Sequence, residues 1–439
     1  MEIEQLTEVI EQTDSYKHFG KVVRVVGIMI ESLGPAANIG EVCLIYTDTH
    51  DDTPILSEVV GFNEQKIILM PYTEVNEIGP GCLVEATGKP LTIKLGRSLI
   101  GHVVDALGNE LNEGSLPKGL KSYLTENAPP NPMTRPPITE PIQVGIRAID
   151  SLLTVGKGQR IGIFAGSGVG KSTLLGMIAR NSEADINVIA LIGERGREVR
   201  EFVEKDLGEE GLKKSIVVVA TSDQPALMRI KGAYTATAIS EYFRSQGLTV
   251  NLMMDSVTRV AMAQREIGLA VGEPPTTKGY TPSVFATLPK LLERTGTNEQ
   301  SSITAFYTVL VDGDDMNEPI ADTVRGILDG HFVLDRKIAE MGQYPAINVL
   351  KSVSRVMPQI VTDDHMKYAQ EMRNLLGVYE DKSDLIQIGA YKKGTDPEID
   401  KAIAYHPRIQ DFLRQGTFED ELLQNSIENM KQLIDGEEI

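Results

Sequence analysis

The stretch RIGIFAGSGVGKST, residues 160–173, decides the fold, because an apolar strand leads directly into a glycine-rich loop and then into a helix. Such a loop turns several backbone N–H groups toward one anion, and the helix N-terminus adds partial positive charge. Lys171 can reach the β and γ phosphates of a nucleoside triphosphate, and the Ser172 hydroxyl can ligate Mg²⁺. The predicted phosphate-binding loop comprises Gly166, Ser167, Gly168, Val169, Gly170, Lys171, Ser172 and Thr173.

One position departs from the strict phosphate-loop pattern, because Ala165 stands where the pattern has its first glycine. This position ends the strand and does not contact phosphate, so the exchange is tolerable. The alternative interpretation is an ordinary glycine-rich turn between a strand and a helix. The lysine–serine pair and both flanking elements favour the phosphate loop.

Around this loop, residues 142–350 alternate apolar runs with helical stretches. Runs that are apolar at almost every position are typical of strands covered on both faces, and their alternation with helices predicts a parallel α/β sheet. The runs are RIGIFA (160–165), NVIALIG (187–193), SIVVVAT (215–221), LTVNLMMD (248–255) and SITAFYTVLVD (302–312).

The rest of the chain divides by pattern. Short β-branched runs separated by turns over residues 20–95, including LTIKL (91–95), predict a small antiparallel barrel. Six prolines among residues 129–141 indicate a stiff linker, and helical periodicity dominates after residue 360. We therefore expect an N-terminal helix at 1–18, a β-barrel domain at 19–95, a connecting segment at 96–141, a phosphate-loop domain at 142–358 and a helical domain at 359–439.

The composition argues against several functions. The 439 residues include 43 basic and 62 acidic side chains, a net charge of −19, which repels a nucleic-acid backbone. We therefore expect no nucleic-acid partner. The first twenty residues lack the apolar core of a signal peptide, no run is long enough to span a membrane, and there are two cysteines. These features favour the cytoplasm.

Two carboxylates follow strands of the predicted sheet. Asp255 ends LTVNLMMD and suits a metal ligand, directly or through water, although a strand-ending aspartate can instead form a turn. Glu194 follows NVIALIG, and the ends of parallel strands converge on the ligand crevice. From spacing alone, Glu194 either faces the γ-phosphate and directs water or is a solvated loop charge.

Several longer motifs resemble one family. GIFAGSGVGKST, IGERGREVREF, MMDSVTRVAMAQREIG, DGDDMNEPIADTVRGILDGH and PAINVLKSVS (345–354) resemble the flagellar protein-export ATPases, which are similar to the catalytic head of rotary ATP synthases and to injectisome secretion ATPases. The resemblance spans almost the whole chain. It implies an α/β fold with an N-terminal small β-barrel, a central RecA-like P-loop NTPase domain with a parallel sheet, and a C-terminal helical domain. It also implies Mg²⁺-dependent hydrolysis of ATP by a homohexamer with sites at subunit interfaces.

The resemblance also implies residue roles. Glu194 matches the carboxylate that positions the attacking water, Arg195 and Arg259 match arginines near the γ-phosphate, and Lys171 and Asp255 take the phosphate and metal roles already described. Tyr344 matches the aromatic residue that packs on adenine. Arg355 matches an arginine supplied by the neighbouring subunit. The local pattern places neither Tyr344 nor Arg355.

The partners that the resemblance implies belong to protein export. They are a stator-like regulatory protein, a central-stalk-like coiled-coil protein, a membrane export gate and export chaperone–substrate complexes. The implied location is cytoplasmic and peripheral to the membrane at the flagellar base. The acidic, amphipathic segment 1–18 either packs on its own domain or docks the regulatory protein, and the resemblance favours docking.

Three alternatives remain at this point. The chain also resembles the virulence-injectisome ATPases, although it resembles the flagellar branch more closely, and its cargo is not readable from the residues. A hexameric RNA translocase of the termination-factor kind has a similar core, but its RNA groove needs a basic, aromatic surface, and segment 20–95 has mixed charge and few aromatic residues. A non-enzymatic scaffold that binds ATP structurally is opposed by Glu194 and Arg355.

Overall fold

A computed structural model describes residues 17–47, 53–74, 78–112, 115–311 and 315–436. The predicted N-terminal helix lies outside the described residues, apart from Lys17 and His18. The strands are β1 (Phe19–Val26), β2 (Met29–Leu33), β3 (Glu41–Tyr46), β4 (Ile55–Asn63), β5 (Lys66–Pro71), β6 (Leu83–Pro90), β7 (Thr92–Leu95), β8 (Val103–Asp105), β9 (Lys121–Leu124), β10 (Pro141–Ile142), β11 (Val155–Gly156), β12 (Arg160–Ala165), β13 (Ile186–Ile192), β14 (Ser215–Ala220), β15 (Val250–Asp255), β16 (Gly296–Thr297), β17 (Ser302–Leu310), β18 (Gly330–Leu334) and β19 (Val353–Ser354).

The helices concentrate in the second half of the chain. They are α1 (Arg147–Leu152), α2 (Lys171–Asn181), α3 (Gly196–Glu201), α4 (Gly208–Leu212), α5 (Ala226–Ser245), α6 (Val257–Ala270), α7 (Pro282–Leu292), α8 (Pro319–Ile327), α9 (Arg336–Glu340), α10 (Met357–Ile360), α11 (Asp363–Gln387), α12 (Pro397–Leu413) and α13 (Leu423–Asp435). A π-helical stretch, Phe202–Leu207, joins α3 to α4. Short 3₁₀ turns lie at Arg97–Leu99, Pro132–Thr134 and Thr277–Gly279.

The predicted N-terminal barrel is confirmed. Six antiparallel strands close it in the order β1-β2-β5-β4-β3-β6. The apolar run 21–30 contains two strands because Gly27 adopts φ +57° and reverses the chain there, a conformation that glycine adopts without steric cost. Alternate side chains fill the interior, among them Val22, Ile30, Cys43, Ile45, Val59, Leu69 and Val84.

The segment after the barrel serves the central domain. The run 91–95, predicted as a barrel strand, instead forms β7 and pairs with β9. Its side chains Ile93 and Leu95 are buried in the same core as helix α5, and the alternating pattern does not specify which core a strand joins. The connecting segment also supplies β8, which lies parallel to β14 at the edge of the main sheet. The predicted domain boundaries themselves stay predictions.

The predicted parallel sheet is confirmed. Its strands follow the order β19-β18-β12-β17-β15-β13-β14-β8, and β16 pairs with β17. Neighbours along this order are parallel except for β18 and β19. Every residue of β13, β14 and β15 is buried, as the near-continuous apolar runs require. The carboxyl ends of β12, β15 and β13 therefore meet at one edge, where α/β sheets bind ligands.

The C-terminal helices confirm the predicted helical region. Helices α11, α12 and α13 pack on one another and on α1, and their apolar faces share a core with β12 and α2. Thr362 and Asp396 cap α11 and α12, each accepting a hydrogen bond from a backbone N–H in the first turn. The shared core fixes the helical region to the side of the sheet on which α2, the helix after the phosphate loop, lies.

A buried charge cluster joins the barrel to the central domain. Lys231 of α5 is 3% exposed, and its Nζ lies 2.7 Å from Glu58 Oε2 of β4 and also contacts Glu126. The Tyr72 hydroxyl donates a hydrogen bond to Glu58. Burial raises the pKa of Glu58, with Lys231 opposing that shift. A buried carboxylate needs a charged partner, so the cluster locks the two domains together.

We predict that Lys231→Met destabilises the protein, because it leaves Glu58 buried without its cation. Breaking a buried pair by removing one partner typically costs about 3–5 kcal/mol in the free energy of unfolding. Chemical denaturation followed by circular dichroism measures the change. The matched control is Lys205→Met, which removes an ion pair between exposed residues, Lys205 and Glu201, and should change little. Equal shifts for the two variants would contradict the prediction.

Candidate active site

The glycine-rich loop is built as a phosphate cradle. It leaves β12 at Ala165 and enters α2 at Lys171. Gly168 and Gly170 have φ of +77° and +87°, a left-handed conformation that favours glycine. The loop thereby ends at the N-terminus of an eleven-residue helix, where free N–H groups attract anions. Ser172 lies exposed in the first turn of that helix.

Lys171 is the centre of the site. Its Nζ lies 2.6 Å from Asp255 Oδ1 and 3.5 Å from Glu194 Oε1. The Lys171, Asp255 and Glu194 side chains are 13%, 4% and 15% exposed. Three residues far apart in sequence therefore meet at the carboxyl edge of the sheet. Asp255 ends β15, and Glu194 contacts Lys171 and is largely buried, so it is not a solvated loop charge. The roles predicted for both residues stay predictions.

The charges of this trio act on one another. Burial lowers the pKa of the Lys171 ammonium, but Asp255 and Glu194 raise it more, so Lys171 stays protonated. Burial and the charge of Asp255 raise the pKa of Glu194, while Lys171 opposes the rise. A carboxylate of raised basicity beside a phosphate cradle suits the orientation or deprotonation of water.

Thr308 supports Asp255 and was not predicted. Its Oγ1 donates a hydrogen bond to Asp255 Oδ1 at 2.8 Å and lies 3.2 Å from the Met254 carbonyl oxygen. Thr308 belongs to β17, which lies between β12 and β15. The available signal was a hydroxyl in an otherwise apolar part of SITAFYTVLVD, but the sequence did not show which neighbour it would contact.

Arg259 approaches the site through a glycine. Ser256 caps α6, which places Arg259 in the first turn after Asp255. A Cβ on Gly193, which has φ +72°, would lie 2.8 Å from the Cβ of Arg259, so only glycine allows this approach beside Glu194. The Arg259 Nε is buried and has no hydrogen-bond partner within the described residues. A buried donor without an acceptor fits a bound anion.

Arg195 lies at the rim. It precedes α3, and its side chain is 77% exposed and pairs with Glu198 at 3.5 Å. The structure therefore brings Lys171, Glu194 and Asp255 together and leaves Arg195 directed to solvent beside them. Thr173 interacts with Asp206, which lies where the π-helical stretch packs against α2.

Tyr344 packs beside the loop although it is distant in sequence. A Cβ on Gly170 would lie 3.4 Å from two carbons of the Tyr344 ring, and the residue remains 45% exposed. One side of the ring, at Cδ1 and Cε1, thus lies against the loop, and nearly half of the residue is exposed. Gln415 fixes the Tyr344 backbone, because its N–H donates to the Tyr344 carbonyl at 2.9 Å.

Gln415 adjoins this region and was missed by sequence reasoning, whereas Phe418 packs at the far end of α2. The Gln415 side chain accepts from the Arg147 N–H and donates to the Gly145 carbonyl, both at 2.8 Å. Phe418 is exposed and lies under the Arg180 guanidinium of α2, 5.0 Å from the ring centre. They lie in the loop between α12 and α13, and no local pattern linked that loop to the phosphate cradle.

Arg355 lies far from the phosphate loop of its own chain. It follows β19, which pairs with the beginning of β18, and its N–H donates to the Asp329 carbonyl. This is the edge where β12 begins, whereas the loop follows the end of β12. Six strand residues separate the two edges by about 17–20 Å. Arg355 is exposed and does not share a site with the phosphate loop of its own chain.

Together, a phosphate cradle, a strand-ending aspartate and a second carboxylate on one parallel sheet define a P-loop nucleoside triphosphatase. Sequence profiles agree with this class. The ATP synthase alpha/beta family matches over residues 22–88 by its beta-barrel domain and over residues 145–354 by its nucleotide-binding domain. The T3SS EscN ATPase C-terminal domain matches over residues 361–432.

Known relatives narrow the class. The chain is 67% identical over 438 residues to the flagellum-specific ATP synthase of Bacillus subtilis (strain 168), covering all of both chains. It is 50% identical to the type 3 secretion system ATPase of Xanthomonas euvesicatoria, covering 95% of each. The solved assembled ATPase EscN of enteropathogenic E. coli, in complex with its central stalk EscO, is 45% identical with a TM-score of 0.87, covering 94% of this chain and all of that chain.

The chain therefore belongs to the ATP synthase alpha/beta family, in its branch of flagellum-specific ATP synthases. The predictions of the family, of the ATP-hydrolysing enzyme class and of the flagellar branch over the injectisome alternative are confirmed. Nucleotide binding follows from the family's domain. Within the described residues, no helix is long and apolar enough to cross a membrane.

We predict that Glu194→Gln abolishes steady-state ATP turnover while nucleotide affinity stays within about threefold of the parent. The amide keeps the shape but cannot accept a proton, and general-base catalysis typically contributes about 10²–10⁴-fold to the rate. Phosphate release and binding of a fluorescent ATP analogue measure the two quantities. The control is Glu204→Gln, an exposed glutamate that pairs with Arg200 away from the site, which should retain turnover. Loss of binding with chemistry at its normal rate would contradict the role of Glu194.

Proposed function

We propose that the chain hydrolyses ATP with Mg²⁺ at the subunit interfaces of a homohexamer, and that this cycle drives export of flagellar proteins. The observation that carries the proposal is the contact of Lys171 with both Asp255 and Glu194 at the end of the phosphate loop. These are the three side chains to which the proposal gives the phosphate-binding, metal-binding and water-directing roles, and Lys171 contacts both of the others.

The donor set fits Mg²⁺. Asp255 offers a carboxylate oxygen, and Ser172 offers a hydroxyl oxygen. Mg²⁺ prefers oxygen ligands, and in nucleotide sites the protein supplies only one or two of them, while phosphates and water supply the rest. Among the described residues no group of three or more His, Cys, Asp or Glu side chains forms a self-sufficient metal site, which agrees with a metal held jointly with substrate. When bound, Mg²⁺ neutralises charge on the β and γ phosphates.

The residues of the chain then divide the work. The N–H groups of residues 166–173 and the Lys171 ammonium hold the phosphates, and Tyr344 packs against adenine. Glu194 orients the attacking water and accepts its proton. Arg259 follows Asp255 and packs against Gly193, and its Nε, which has no hydrogen-bond partner among the described residues, would bind the γ-phosphate. Arg195 would have to turn from solvent at the rim to join it.

The position of Arg355 is an argument for the proposed ring assembly. Its place at the opposite edge of the sheet means that one chain holds a phosphate loop and an arginine that do not share a site. A head-to-tail ring brings the arginine of one copy to the loop of the next. Such an arginine stabilises charge on the transferring phosphoryl group and is worth about 10³–10⁵ in rate.

The wider role follows from the family branch. We propose that the hexamer acts in the cytoplasm beside the membrane export gate and receives export chaperone–substrate complexes. EscN was solved with a central stalk, which supports a comparable coiled-coil partner here. The stator-like regulatory protein would bind residues 1–18. No nucleic-acid partner is proposed, because the chain is strongly acidic.

We predict that mixing two inactive variants restores ATPase activity. Glu194→Gln retains Arg355, and Arg355→Ala retains Glu194, so an interface between them can contain both groups. Random one-to-one assembly should make roughly a quarter of the interfaces complete in a head-to-tail ring. Steady-state phosphate release at a concentration that supports assembly measures the recovery, and each variant alone is the control.

The result distinguishes two architectures. If both residues served one site in the same chain, no mixed interface would be complete and activity would stay at the level of the separate variants. Equal specific activity of dilute monomer and concentrated parent protein would also contradict the interface site. Motility of a deletion strain tests the export role separately. We expect the parent gene to restore motility and the ATPase-dead Glu194→Gln gene to fail.

A further inference from the structure

Thr308 is placed to control the metal-binding carboxylate. Its strand, β17, lies between the strand that leads into the phosphate loop and the strand that ends at Asp255. Thr308 is fully buried, and its backbone partner on β12 is Ile163, three residues before the loop. Its position is therefore set by two neighbouring strands of the central sheet.

The hydroxyl has one proton and two acceptors within reach. The distance to Asp255 Oδ1 is 2.8 Å and the distance to the Met254 carbonyl oxygen is 3.2 Å. Hydrogen bonds to an ionised acceptor are shorter and stronger than those between neutral groups. The Thr308 hydroxyl therefore donates to Asp255 Oδ1 and not to the Met254 carbonyl. As a β-branched residue on a buried strand, threonine has little rotamer freedom to leave this position.

Thr308 and Lys171 donate to the same carboxylate oxygen. Lys171 Nζ lies 2.6 Å from Asp255 Oδ1, the atom that Thr308 also contacts. In the proposed function, Lys171 turns to the phosphates when nucleotide binds. Thr308 is fixed in the sheet and keeps its hydrogen bond, so Oδ1 stays directed at β17 and Oδ2 is left for the metal.

We propose that Thr308 is a positioning residue, which holds Asp255 by one oxygen so that the other faces the Mg²⁺ of the bound nucleotide. This rests on the proposed role of Asp255. Residues that orient a metal ligand typically change metal affinity by about 10–100-fold when they are mutated.

The chain offers matched variants for a test. Thr308→Val keeps the shape and removes the donor, and Thr308→Ser keeps the donor. The control is Thr304→Val on the same strand, a buried threonine whose Oγ1 accepts from the Gly158 N–H at the other end of β17. It reports the cost of losing a buried hydroxyl away from Asp255. Thermal unfolding of all variants shows that each is folded.

The measurement is the affinity of the full-length protein for a fluorescent ATP analogue, with Mg²⁺ and with EDTA. We expect Thr308→Val to reduce the Mg²⁺-dependent gain in affinity about tenfold and to leave the EDTA affinity nearly unchanged. Thr308→Ser should restore the gain, and Thr304→Val should match the parent protein.

Three results would overturn the proposal. Thr308→Val could retain the full Mg²⁺-dependent gain, it could lose affinity equally with and without Mg²⁺, or Thr304→Val could reduce the gain as much. A parent protein without any Mg²⁺-dependent gain would be a different failure, because it would reject the metal role of Asp255 in the proposed function as well.

Discussion

The ammonium of Lys171 holds together a site that would otherwise repel itself. Asp255 and Glu194 come from adjacent strands, and both are largely buried at the same edge of the sheet. Asp255 and Glu194 repel each other at this buried edge, and Lys171 attracts both. The lysine supplies that cation from the phosphate loop. One side chain therefore links the phosphate loop to both carboxylates.

The parts of this protein that sequence reasoning predicted are those encoded locally. The phosphate loop is eight residues with its own geometry, and buried parallel strands appear as continuous apolar runs because both faces are covered. The barrel could be predicted from closely spaced strands and turns. In contrast, β7 has the same alternating pattern as a barrel strand, and only its partner β9 shows that it belongs elsewhere. A three-residue strand such as β8 carries no pattern of its own.

Site residues follow the same division. Lys171 and Asp255 could be predicted because each stands at a fixed place relative to a strand. The position of Glu194 stayed open, because the sequence does not give its distance from the phosphate loop. Thr308, Gln415 and Phe418 act through contacts across 53 residues or more, which no local pattern contains. Tyr344 and Arg355 were named through family resemblance alone. In the structure, Tyr344 packs beside the loop, and Arg355 lies at the opposite edge of the sheet.

The loop between α12 and α13 has a mechanical consequence. Gln415 is bonded at once to the Tyr344 backbone and to the turn that begins α1, so the helical region grips the nucleotide cradle from its aromatic side. If the helical region moves, Tyr344 must move with it, or the hydrogen bond between Gln415 and the Tyr344 carbonyl must break. Each hydrogen bond is worth only about 0.5–1.5 kcal/mol net. The connection between the helical region and Tyr344 is therefore direct but weak, so a small movement of these helices would move Tyr344 relative to the phosphate loop.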